Sequence, residues 1–170
     1  MPLGSHRLNC LFYNTSVVEE AGVDPASLNS VSALIDAMET VASETDAIPM
    51  THGASGTWTT TQFFAAVLLG QAGYDEYMNF VEGNPSEDAV RSAFESMATI
   101  LESYINEDAA SIGLTESNQN IIEGNAAFIH QGNWAAGAYR NADDFAYNED
   151  WGFKTFPGTE GMYTLHFDSF

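Results

Sequence analysis

The chain has 170 residues, 45% hydrophobic and 12% aromatic, enough for one domain with a buried core and too apolar for a disordered acidic segment. Its 24 Asp and Glu face only four cations, Arg7, Arg91, Arg140 and Lys154, for a net charge of −20. The acids are scattered singly and in pairs such as Glu19–Glu20 and Asp143–Asp144, a distribution that disfavours nucleic acid and anionic membranes as partners.

Self-repulsion at that charge penalises a compact body in dilute buffer. At about 1 M salt the Debye length falls to about 3 Å and most of the penalty disappears. An acidic folded chain with a single lysine therefore reads as adapted to high salt. Cys10 is the only cysteine, which rules out an intramolecular disulfide and a cysteine-cluster zinc site. It sits in an apolar run and reads as a buried, inert thiol. No signal peptide and no apolar run of membrane-spanning length occur. The opening Met-Pro-Leu-Gly-Ser-His resembles a leader left by a cloning vector, so residues 1–6 are set apart from the fold.

In chain order, Asn9 to Asn14 reads as a buried strand with a polar exit, and Ser16 to Ala21 as a short helix stopped by Gly22. Asn14-Thr15-Ser16 matches the glycosylation pattern, but as a strand exit it is expected to carry no glycan. Val31, Leu34, Ile35, Met38, Val41 and Ala42 recur at helical spacing and define an amphipathic helix. Ala47 to Thr51 is a short strand, and His52 to Thr57 a flexible loop. Thr59 to Leu69 is a mostly apolar, central helix, and Asp75 to Val81 another short one. Asn84-Pro85-Ser86-Glu87 supplies an N-cap, a proline and an acid for the longest helix, whose core face is Val90, Phe94, Met97, Ala98, Leu101, Tyr104 and Ile105. Ser117 to Glu123 is a helix, Ala126 to His130 a strand, and Gly132-Asn133-Trp134 opens a helix to Arg140. Trp151 to Phe156 and Tyr163 to Phe167 are strands. The sum is a helix-rich α/β domain.

The motifs of catalysis are sparse. H-E-x-x-H, G-x-S-x-G, the phosphate loop and G-x-G-x-x-G are all absent from the sequence. His166 and Asp168 share one face of a strand, and with Asp143 or Asp144 they form the best enzyme candidate, a metal-assisted hydrolase site. The competing reading is a polar strand end. Trp58 and Trp134 each lie where a glycine-containing loop meets a helix. They are either core residues or stacking platforms for the apolar C–H face of a sugar, with Asn133 and Asp168 as acceptors for its hydroxyls.

These residues also carry a resemblance. Asn9-Cys10-Leu11-Phe12-Tyr13-Asn14 followed by Ala21-Gly22-Val23-Asp24-Pro25 resembles a stretch of the family 1 extracellular solute-binding proteins. Glu123-Gly124-Asn125-Ala126-Ala127-Phe128 with Gly132-Asn133-Trp134, and Trp151-Gly152-Phe153 with Phe156-Pro157-Gly158, are similar to two further stretches in the same order. Gly158-Thr159-Glu160-Gly161 with Asp168-Ser169-Phe170 resembles the subgroup that binds glucose and similar hexoses. The place where that subgroup carries an aromatic falls near Leu114, which leaves the sugar itself open. The resemblance implies a two-lobed, type II periplasmic-binding-protein-like fold, of which residues 7–170 form the second lobe, a discrete piece of a longer chain. It implies a sugar ligand held by Trp58, Asn133, Trp134 and Asp168, with no catalysis, no cofactor and no resident metal. Another polar solute, an oligosaccharide or polyol, is the alternative ligand. The implied partners are the first lobe of the same parent chain and the membrane subunits of an ABC importer. The implied location is extracellular, anchored at the cell surface.

The charge generates the first prediction. The thermal midpoint should rise steadily between about 0.1 M and about 2 M salt, as the screening length shrinks from about 10 Å to about 2 Å. Equal midpoints at the two ends of that series would contradict the high-salt reading.

Overall fold

The structure, a computed structural model, describes residues 5–160 and the strand 165–167. Its centre is a four-stranded mixed sheet built from β2 (Cys10–Asn14), β3 (Ile48–Met50), β4 (Ala126–Gln131) and β5 (Trp151–Thr155), in the order β3-β4-β2-β5. β2 runs antiparallel to both β4 and β5, and β3 runs parallel to β4. A separate two-stranded ribbon joins β1 (Ser5–Arg7) to β6 (Leu165–Phe167), with Ser5 opposite Phe167. Ser5 and His6, left outside the fold by the sequence reading, thus belong to it.

Side chains alternate along a strand, and β2 uses both faces. Leu11 joins the larger apolar cluster, while Cys10 and Phe12 join the smaller one. The larger cluster packs α1 (Thr15–Glu20), α2 (Val31–Glu44), α3 (Thr57–Val81) and α4 (Glu87–Ser103) on one side of the sheet. The smaller lies under α5 (Leu114–Ile122) and α6 (Ala135–Arg140). Helices therefore cover both faces of the sheet, the layering expected of an α/β domain.

Local chemistry explains most boundaries. Asn14 ends β2 and caps α1, its Oδ1 accepting from the Val17 N–H at 3.1 Å, while its Nδ2 donates to the Ile121 carbonyl. That nitrogen is buried. Ser30 caps α2, which buries Val31, Leu34, Met38 and Val41. The two central helices expected around residues 59–81 meet at Gly73, whose φ of +81° and ψ of −179° break the helical path between them within α3. The single lysine, Lys154, donates to the Pro25 and Leu28 carbonyls and ties β5 to the turn before α2.

Three expectations change. α4 is capped by Ser86, two residues after Asn84, because the Glu76 carboxylate takes the Ser86 N–H at 2.6 Å and holds that stretch outside the helix. Its buried stripe is Ala93, Met97 and Ile100; Phe94 is 53% exposed and stacks on Phe64 at 4.3 Å. The stretch from His52 to Gly56 is pinned, not flexible: Ala54 N–H donates to Ala109 O, Ser55 N–H to Ile112 O, and His52 N–H to the Asn106 side chain at 2.7 Å. Among the described residues no helix is long and apolar enough to cross a membrane.

Candidate functional site

β4 is buried along its whole length and delivers the chain to Gly132, Asn133 and Trp134. Its pairing with β2 sets Gln131 opposite Cys10. Past the ladder, Arg7 and Asn133 clamp each other: the Arg7 N–H donates to Asn133 Oδ1 at 3.1 Å, and the Asn133 N–H to the Arg7 carbonyl at 2.9 Å. The Trp134 indole folds back over Gly132, where any Cβ would collide with the ring. Its Nε1–H donates to Gln131 Oε1 at 3.2 Å.

Two more rings meet Trp134 edge-on. Trp58, in the first turn of α3, lies 5.4 Å away at an interplanar angle of 86°, and His6 of β1 lies 5.4 Å away at 74°. Edge-to-face contacts of this kind hold aromatic rings at fixed angles. Trp58 is 44% exposed and Trp134 half-buried. Three of the four residues expected at the site, Trp58, Asn133 and Trp134, are thus brought together. Asp168 lies outside the described residues. Asn133 is exposed, but its amide oxygen already accepts from Arg7, so it is a strut as much as an acceptor.

Beneath this surface sit two histidines. His52 Nε2 meets Thr60 Oγ1 at 3.0 Å, and His52 and His130 both pack against Phe63, at 5.7 and 5.6 Å. Burial holds the His52 imidazole below its ordinary pKa. It pushes His130 down to about 3, helped by the nearby His52 and opposed by a hydrogen bond to the Leu8 backbone. His130 Nε2 is buried with no hydrogen-bond partner among the described residues. Burial likewise raises the Cys10 thiol to about 11, so it is inert at neutral pH.

The hydrolase constellation does not assemble among the described residues. Asp143 and Asp144 are exposed at the turn after α6, and no described group of three His, Cys, Asp or Glu could hold a metal. The His166 side chain and Asp168 lie outside the described residues. Sequence reasoning missed His6, Gln131 and the His52–His130 pair. His6 was set aside with the opening residues. Gln131 had a signal in the sequence, since a polar residue ending an apolar strand just before a Gly-x-Trp turn is placed to hold the indole.

A family model described as the bacterial extracellular solute-binding protein matches residues 1–166. The chain belongs to that family. A xylose/arabinose-binding protein, XacG, of Haloferax volcanii is 52% identical over 169 residues, covering 99% of this chain and 37% of the relative. An uncharacterized ABC transporter extracellular-binding protein of Pyrococcus horikoshii is 30% identical over 172 residues, 100% of this chain and 38% of the relative. The solute-binding chain thus spans under two-fifths of the length of these relatives. Its fold is that of a chitin oligosaccharide binding protein (TM-score 0.79, 20% identity, 92% of this chain and 39% of the other). It is equally that of a manno-oligosaccharide specific solute binding protein (TM-score 0.77, 18% identity, 99% and 42%). Proteins of this solute-binding family are not enzymes, and no enzymatic family is indicated.

The buried histidine predicts an acid limb to stability. An unfolded chain protonates His130 as pH falls through about 6.5, whereas the folded chain does so only near 3. Between those values the unfolded state binds more protons, so stability falls with pH by up to about 1.4 kcal/mol per unit. His52 acts in the same direction. Other groups titrate over the same range, so the readout is a difference. Denaturation at fixed molar salt from pH 7 to pH 4 should give a shallower loss for His130→Leu than for the parent, and parallel curves would contradict this.

Proposed function

We propose that this chain is the sugar-binding second lobe of an ABC importer's receptor, working at high salt, and that its ligand is a monosaccharide. The observation that carries the reading is the Trp58–Trp134 pair, held edge-to-face at 5.4 Å beside a glycine turn and open to solvent at Trp58. A sugar offers an apolar C–H face and a rim of hydroxyls, which suits an aromatic plane flanked by polar groups. In this reading Trp58 and Trp134 stack on the ring, and Asn133 and Asp168 engage its hydroxyls.

The relative at 52% identity, named for xylose and arabinose, favours a pentose over glucose. Its source, Haloferax volcanii, is in keeping with the high-salt reading. So is the burial pattern, because no described Asp or Glu is buried. An acidic surface of this kind is soluble where salt screens it.

The lobe reading draws support from the β1–β6 ribbon, where residues near the two ends of the described chain pair side by side. Two adjacent strands are a suitable hinge for a first lobe that closes over the ligand. Membrane subunits of the importer, and an anchor at the cell surface, would complete the assembly.

The test is paired denaturation and sugar titration at high salt, in a two-lobed protein containing this chain, with xylose, arabinose and glucose. Trp58→Ala should lower affinity with little change in thermal midpoint, since the ring is 44% exposed. Asp168→Asn should weaken binding by about one to two orders of magnitude, the loss of a hydrogen bond to a charged group. Trp134→Ala separates the two roles. A loss of about 3–5 kcal/mol of stability would return that ring to the core. Lost affinity at near-parent stability is the expected result. Undiminished binding in all three variants would remove them from the site.

A further inference from the structure

On the sheet face away from the large cluster, β2, β5 and α6 enclose a hollow of about 390 Å³. Its walls are rings: Phe12, Tyr147, Trp151 and Phe153, with Tyr147 at 4.9 Å from Trp151 and Phe153 at 5.7 Å from Phe12. Its rim holds Arg7 and Arg140, two of the four cations in a chain of net charge −20. None of the chain's abundant acids lines it among the described residues.

The hollow is rich in hydrogen-bond donors and poor in acceptors. A guanidinium only donates. The Arg140 guanidinium has no hydrogen bond or ion pair among the described residues, where that of Arg91 has its Glu87. Trp151 is 1% exposed and its Nε1–H has no partner among the described residues. The one side-chain amide there, Asn133, already spends its oxygen on the Arg7 N–H. The Arg7 charge reaches the Cys10 thiol at the floor and works against the rise that burial causes there.

We propose that this hollow is a second binding site, for a small organic anion that joins a carboxylate to a ring with an apolar face. The carboxylate pairs with the Arg140 fork, in the field of Arg7, and the ring face lies against Phe153 and Tyr147. Arginine suits this task because its planar fork matches a carboxylate in two parallel hydrogen bonds. Contact pairing of that kind survives a screening length of about 3 Å, whereas steering from a distance does not. The exposure of Tyr147 and Phe153, each 46%, leaves the ring walls reachable. The site adjoins the Trp58–Trp134 pair through Asn133, which lines both, but its occupancy does not depend on the sugar reading.

The three tryptophans give three indole N–H resonances in the ¹⁵N-labelled chain, so each place reports separately. The probes are D-glucuronate, methyl glucoside (a similar ring without charge) and acetate (the charge without the ring). They are titrated at the lowest salt that keeps the chain folded. Glucuronate should shift the Trp151 resonance saturably, and far more tightly than either control. Arg140→Gln should weaken it at least tenfold, and Arg140→Lys by an intermediate factor, with the other two indole resonances unmoved. No saturable shift at Trp151, equal shifts from methyl glucoside or acetate, an unchanged affinity in Arg140→Gln, or a response confined to Trp58 and Trp134 would each overturn the proposal.

Discussion

Strand β2 has no solvent-facing side. It has a neighbour on each edge and an apolar layer on each face, so a slip of one residue would exchange Leu11 for Phe12 and pull both clusters apart. Buried asparagines bracket it. Asn9 Nδ2 donates to Thr159 Oγ1 at 2.9 Å at one end, and Asn14 bonds to Ile121 and Val17 at the other. Buried polar groups with their partners in place are specific about register, because any other pairing leaves them unsatisfied. Through β4 the same register places Gln131, and with it the Trp134 indole. Through β5 it places Trp151 and the ring-walled hollow.

The surface of the site therefore rests on a rigid base, while its groups face outward. Trp58 comes from the start of α3, Trp134 from the turn after β4, and His6 from the β1–β6 ribbon. Three separate segments meeting at one indole make a platform whose angles are set by contacts on its edges. Burial favours the neutral form of the two histidines packed against Phe63, so at neutral pH they add no charge near the proposed ligand surface. That matters in a chain of net charge −20, where a neutral sugar approaches without electrostatic penalty and an organic anion requires a local cationic rim.

The extent to which all this is readable from residues follows the range of the interactions. Short-range features were legible: the helical spacing of Val31, Leu34, Met38 and Val41, the buried run around Leu11 and Phe12, and the helix that Gly132-Asn133-Trp134 opens toward Arg140. The expected α4 face was right in part: Met97 is buried and Val90, Leu101, Tyr104 and Ile105 pack against the core, but Ala93 and Ile100 complete the buried stripe while Phe94 stays 53% exposed, stacked on Phe64. The contact between Trp58 and Trp134 had only a local hint, two tryptophans beside glycine turns, since their meeting depends on how α3 and β4 pack. The His52–His130 pair had no sequence signal at all, because an isolated histidine does not announce whether another lies across a phenylalanine from it. The Arg7–Asn133 clamp had no sequence signal, because it joins groups 126 residues apart.

The central claim is that the tryptophan pair is a sugar platform, and the most direct measurement is saturation-transfer NMR on a two-lobed protein containing this chain at molar salt. Irradiating indole protons should pass saturation to the ring C–H protons of bound xylose or arabinose, strongest for the protons on one face. Replacing Trp58 and Trp134 by Leu should abolish that transfer while Trp151 remains. Bound sugar that receives no saturation from indole protons, or the same saturation after both replacements, would contradict the account.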